Sequence, residues 1–140
     1  NTGYKSIDIK NSRLIQLDMS KQGLRLTDKN QWHWFLNQLE SFNGSNVFVF
    51  LQNTPKNFTD SLEAGLFKET LTQYRQKKFK NVWVFFGGSE NASYMERGIK
   101  YISSPGLEVQ GLTPDNTDIA QYVLVTVMGT SVTYEFKPIV

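Results

Sequence analysis

Two uninterrupted apolar runs, Val47–Leu51 (VFVFL) and Val82–Phe86 (VWVFF), constrain this chain more than any other feature. Each has strand length, is built of β-branched and aromatic residues, and lacks the polar alternation of a half-exposed strand. Such runs read as strands covered on both faces. Each is preceded by a helical pattern. Trp32, Phe35, Leu36, Leu39 and Phe42 share one helical face, and Asn43-Gly44-Ser45 stops that helix. Leu62, Leu66, Phe67, Leu71 and Tyr74 form a second stripe, which predicts a helix of about 15–18 residues. Asp28 with Gln31, and Asp60 with Glu63, have capping-box spacing at the two helix starts.

Alternating segments flank this centre. Lys5–Ile9 and Arg13–Asp18 read as half-buried strands joined by a tight turn through Lys10-Asn11-Ser12, and Lys21-Gln22-Gly23 as a further turn. Arg97–Ile102 reads as a short strand before a Pro105-Gly106 turn. Tyr122–Val127 and Ser131–Phe136 close the chain as a hairpin around Met128-Gly129-Thr130. The order β-β-α-β-α-β-β-β-β predicts an α/β fold bordering on α+β, with mixed β-sheet layers and two main helices in a single domain over 1–140.

Composition removes several chemistries. Without Cys there is no disulfide scaffold, thiolate zinc site or cysteine nucleophile, and one His, His33, cannot build a multi-imidazole centre. A formal charge of +2 gives no strong electrostatic case for nucleic acid or an anionic membrane. The cluster Arg75, Lys77, Lys78 and Lys80 falls where a helix dipole favours cations; a phosphate or acidic-partner patch is the functional alternative. No apolar run approaches the ~20 residues of a membrane span. The chain opens on Asn1, without Met or a signal pattern, which suggests a piece of a larger multidomain protein.

The loops after the two apolar strands are the places to look for a site, because ligands of α/β sheets gather at the carboxyl ends of strands. The candidate binding loop is Gln52 and Asn53 together with Gly87, Gly88, Ser89, Glu90 and Asn91. The glycine pair matches neither phosphate-loop pattern, and no G-x-S-x-G elbow exists. Glu90 and Glu96 are a candidate acid/base pair whose separation the sequence does not fix. Trp34, off the buried stripe, and Tyr94 are candidates for stacking on a sugar.

In order and spacing these motifs resemble the C-terminal half of calcineurin-like metallophosphoesterases, particularly the exported multidomain kind. Gln31-Trp-His-Trp-Phe-Leu36 resembles the family's Q-W-x-W-L helix. Asn46–Pro55 resembles the strand that ends in a His followed by prolines, and Asn81–Glu90 the strand that ends in Gly-His-x-His. Ser6–Asp18, Gly98–Ile102 and the final hairpin match its remaining strands. The resemblance implies half of a β-sandwich, and metal ligands at the positions held here by Gln52, Gly88 and Glu90. An amide, a glycine and one carboxylate replace imidazoles that bind two metals, and the family's upstream ligands belong to a half this chain lacks. The expectation is therefore a catalytically inactive metallophosphoesterase-like domain of a larger exported protein, extracellular or attached to the cell envelope. It would carry no cofactor and have a structural or interaction role toward neighbouring domains of the same polypeptide or another protein. The alternative is half of an active phosphoesterase using Mg, Ca or Mn through Glu90 and Asn53. The third reading is a carbohydrate-binding module. A sheet face left uncovered by the missing half would favour a homodimer.

Overall fold

The computed structural model describes residues 3–88, 90–104 and 121–138. The Pro105-Gly106 turn, Ser89 and the side chain of Tyr122 lie outside the described residues. Two antiparallel strands open the chain, β1 (Lys5–Ile9) and β2 (Ser12–Gln16), followed by the short helix α1 (Leu24–Thr27), α2 (Gln31–Glu40) and β3 (Asn46–Leu51). A 3-10 turn over Pro55–Asn57 leads to α3 (Ser61–Lys78) and β4 (Asn81–Gly87). The chain then forms β5 (Ala92–Glu96), β6 (Ile99–Ser104) and the hairpin β7 (Gln121–Met128) and β8 (Ser131–Pro138).

Six strands make one mixed sheet in the order β1-β2-β3-β4-β6-β5, and β7-β8 is a separate pair. The inner strands β2, β3, β4 and β6 are parallel, while β1 and β5 are antiparallel edges. This is a mixed α+β fold, the borderline that the alternating flanks anticipate.

Side-chain alternation sorts the sheet into two faces. Val47, Val49 and Leu51 of β3 and Val82 and Val84 of β4 enter one core with Phe35 and Leu39 of α2 and Phe67, Leu71 and Tyr74 of α3. The intervening residues Phe48, Trp83 and Phe85 point the other way, toward the hairpin. There Trp83 meets the edge of Tyr134 at 5.6 Å, and the Tyr134 hydroxyl donates to Ser93 at 2.8 Å. The two apolar runs therefore have an apolar neighbour on each face, although the hairpin covers the second face incompletely. On β1, Ile7 and Ile9 remain about half exposed, at 51% and 54%.

Four local expectations are corrected. First, Asp28 and Gln31 do not form a capping box. Asp28 accepts from the Asn30 N–H and the Tyr4 hydroxyl, while the buried Gln31 amide bonds the backbone of Asp18 and Leu24. Second, Asp60 caps α3 through the Leu62 N–H, but Glu63 turns away. Its buried carboxylate accepts from the backbone N–H groups of Leu24 and Arg25 and from the Arg25 guanidinium, satisfying the open start of α1. Third, the buried face of α3 runs Glu63, Phe67, Leu71, Tyr74; Leu62 and Leu66 stand in solvent at 80% and 46% exposure. Fourth, the strand read over Arg97–Ile102 runs over Ile99–Ser104 and is the second strand of a hairpin whose first strand, β5, the sequence reading misses. Arg97 and Gly98 both have positive φ, 51° and 87°, and make the turn between β5 and β6.

Candidate functional site

The four parallel strands end on one edge of the sheet, which brings the loops at Gln52 and Gly87 side by side. Contact between them is close: a Cβ added to Gly87 would lie 2.4 Å from the Gln52 carbonyl oxygen, so glycine is needed for the backbones to approach. Gly88 packs over Ser103 and donates its N–H to the Ser104 carbonyl at 3.2 Å. The Ser103 hydroxyl donates to the Glu90 carbonyl at 2.9 Å. Gln52, Asn53 and Glu90 are exposed, and Gly87, Gly88 and Asn91 are half-buried.

Hydrogen bonding at this edge is directed inward. The Gln52 side-chain oxygen accepts from the Met19 N–H, and its NH2 group donates to the Asp18 carboxylate at 3.3 Å. Asp18 also accepts from the Ser20 N–H at 2.9 Å, while its own backbone is held by Gln31. Partial burial pushes the Asp18 carboxyl up, but the hydrogen bonds from Ser20 and Gln52 outweigh it and hold the group below the usual carboxylate range. Asp18, Gln31 and Gln52 thus tie the loop after β2 to the end of β3. The sequence reading places Gln31 in a capping box and Asp18 at a strand end, and nothing local marks their part in this tie.

At Gln52, Gly88 and Glu90, where the resemblance implies metal ligands, the donor set does not fit a two-metal centre. Gln52 is committed to the backbone, Gly88 has no side chain, and Glu90 supplies one carboxylate. Among the described residues no three His, Cys, Asp or Glu side chains gather into a group that could hold a metal ion. Glu90 precedes β5 and Glu96 is its last residue, so the strand, about 13 Å long, separates them, and Glu96 pairs with Lys68 at 3.2 Å. They do not form an acid/base pair. The candidate sugar platforms are packed: Trp34 tilts against Tyr4 at 4.8 Å, and Tyr94 stacks on Tyr101 at 5.1 Å with its plane 7° from parallel.

A different feature stands out on the second face of the sheet. The hairpin lies over part of that face, and between β7 and strands β1–β3 an open cleft of about 820 Å³ remains. Leu14, Phe48, Phe50 and Phe85 make its floor, and Val125 and Val127 its wall. The Phe50 and Phe85 rings stack at 5.3 Å. A shallower hollow beside Ile7 and Lys5 shares Leu14 and Phe50 with the cleft and extends the trough along β1. Lys10 is the one charged side chain among the described lining residues. Above the floor runs the outer edge of β7, which pairs only with β8 among the described strands.

The hairpin that forms this wall is fastened by three asparagines. Asn46, fully buried at the start of β3, donates to the Gly129 carbonyl at 3.0 Å and to Ser12 Oγ at 3.3 Å. Asn11 donates to the same carbonyl at 2.9 Å. Asn81 donates to Asn46 Oδ1 at 2.8 Å and to the Thr130 carbonyl at 2.7 Å. Each Asn stands at the entry to an inner strand, a recurrence visible in the sequence as Asn11-Ser12, Ser45-Asn46 and Lys80-Asn81.

No family model, curated protein or solved structure matches this chain.

Proposed function

We propose that this chain is a non-catalytic interaction domain, a phosphoesterase-like scaffold that holds an extended apolar segment of a neighbouring domain or partner protein. The observation that carries the reading is the cleft: an aromatic floor lies beneath an edge of β7 that no other described strand pairs. An unpaired edge offers a row of backbone donors and acceptors, and a strand added there would satisfy them while its alternate side chains entered the trough. A volume of about 820 Å³ holds several apolar side chains. Lys10 in the cleft, with Lys5 in the adjoining hollow, favours an acidic flank on the incoming segment. The carboxyl edge of the sheet supports the same reading from the other side, since Gln52 spends its amide on structure and Gly87 leaves no room for a ligand-bearing side chain.

Selection of displayed random peptides on the purified chain tests this. Enriched peptides should alternate apolar and polar residues, and Val125→Asp, which puts a charge in the trough wall, should abolish their capture. No enrichment over an unrelated protein, or capture indifferent to Val125→Asp, overturns the reading. Chelator-sensitive hydrolysis of bis-p-nitrophenyl phosphate with added Mn, Mg or Ca would instead establish the phosphoesterase alternative.

A further inference from the structure

The small net charge conceals a polarised surface. The amino ends of β2, β3 and β4 lie in register, Ser12 beside Asn46 beside Asn81, so the turns that feed them share one edge of the sheet. The hairpin tip joins that edge through the asparagine bonds to Gly129 and Thr130. Lys10 precedes Asn11, and Arg75, Lys77 and Lys78 lie a few residues before Asn81, whereas Lys80 turns inward to the Gly44 carbonyl and the Phe42 ring. Among the described residues one carboxylate pairs with these lysines, Glu40, which meets Lys78 at 3.7 Å; Asp8, near Lys10, is taken up by Arg13.

Large apolar side chains protrude among these cations. Phe79 is 91% exposed and Met128 74%. Each is two residues from the Asn81–Thr130 hydrogen bond, about 7 Å of chain, so both belong to this edge. Phe79 also occupies the left-handed region, φ 56° and ψ 45°, at the end of α3, where glycine is the favoured residue. A bulky aromatic at that position gains nothing from packing and is strained by its backbone.

We propose that this edge docks on an anionic lipid bilayer, with Phe79 and Met128 entering the interface and the lysines lying against the headgroups. Cations ringing exposed apolar tips match such a surface in both charge and polarity. The edge shares Lys10 and Met128 with the rim of the peptide cleft, but Lys77, Lys78 and Phe79, the residues the test alters, do not line it.

Cosedimentation of the full chain with vesicles tests it. The chain should pellet with equimolar phosphatidylcholine/phosphatidylglycerol vesicles at low salt, and binding should fall in high salt and with phosphatidylcholine alone. Lys77→Gln with Lys78→Gln should weaken partitioning about 25-fold, at about fivefold per lysine. Phe79→Gly should weaken it about tenfold while the melting temperature holds or rises, since glycine relieves the left-handed strain. Failure to pellet with anionic vesicles, equal binding to neutral ones, or both variants binding as the parent does would overturn the proposal. So would binding of a single-stranded oligonucleotide, lost in the same variants, in place of vesicles.

Discussion

Asn46→Ala removes the centre of the asparagine ladder, and the structure gives the size of the effect. The Asn46 amide makes three side-chain bonds of 3.3 Å or shorter, to Gly129, Ser12 and Asn81, inside a site with no solvent exposure. Each bond contributes about 1 kcal/mol net, for a loss of about 3 kcal/mol. Deserted partners would add to this, but Gly129 keeps Asn11 and Asn81 keeps Thr130, so that extra cost is limited. A chain of this length has a stability of roughly 7–20 kcal/mol, so the variant remains folded. The loss should appear in urea titration followed by circular dichroism. The location of the damage is the sharper readout. Amides of β7 and β8 should exchange with deuterium much faster, whereas those of β3 and β4 should lose only the global decrement. Asn46→Asp should be worse at neutral pH, because it sets a buried carboxylate against the Gly129 carbonyl. Burial raises that carboxyl's pKa, so this variant should regain stability as pH falls through it. A change below about 1 kcal/mol, or hairpin exchange no faster than that of β3, would refute the claim that the ladder fastens the hairpin.

Other substitutions probe the remaining features. Gly87→Ala forces a methyl group against the Gln52 carbonyl oxygen and should cost about 2–3 kcal/mol in urea titration; a neutral result would mean the two strand ends can separate freely. The Tyr74 hydroxyl is buried without a hydrogen-bond partner among the described residues, and burial, with help from Glu40 and against Arg13, pushes its pKa to about 12. Tyr74→Phe should therefore be neutral or stabilising by about 1 kcal/mol, and a clear loss of stability would show that the hydroxyl is satisfied in solution. The Asp8 carboxyl is held below its ordinary value chiefly by the hydrogen bond from Arg13, and Asp18 is lowered as well. Their contribution is present above about pH 4, the unfolded carboxylate value, and is lost as pH falls through the lower folded values. The urea midpoint should drop between pH 5 and pH 3, and less steeply in Asp8→Asn; equal slopes would remove Asp8 from the account.

Which parts of this structure were legible in the sequence follows from the range of the interactions involved. The apolar runs and the closing hairpin were readable because a strand's alternation or continuous apolarity is written in adjacent residues. The Leu62–Leu66 part of the second stripe misled because periodicity gives a helix face but not its rotation. Rotation was decided by Glu63, a polar residue buried to satisfy the N–H groups of Leu24 and Arg25, 39 and 38 residues away. The same holds for Gln31, whose capping spacing is real but whose amide is drawn to Asp18 and Leu24. In both cases a buried polar side chain answered a backbone group left open by another element, a demand that exists only once the chain has folded. The loops at Gln52 and Gly87 were read as a site because strand ends are where ligands gather, and folding does bring them together. It brings them so close, however, that the same residues are consumed in joining β3 to β4 and to the loop after β2. The cleft was not foreseeable residue by residue, since its floor comes from the apolar runs that fill any core. Phe48, Phe50 and Phe85 differ from Val47, Val49 and Val84 only in facing a hairpin of two strands, too narrow to roof a sheet of six. That mismatch in width follows from topology, and among the described residues it leaves β7 as an edge over apolar ground.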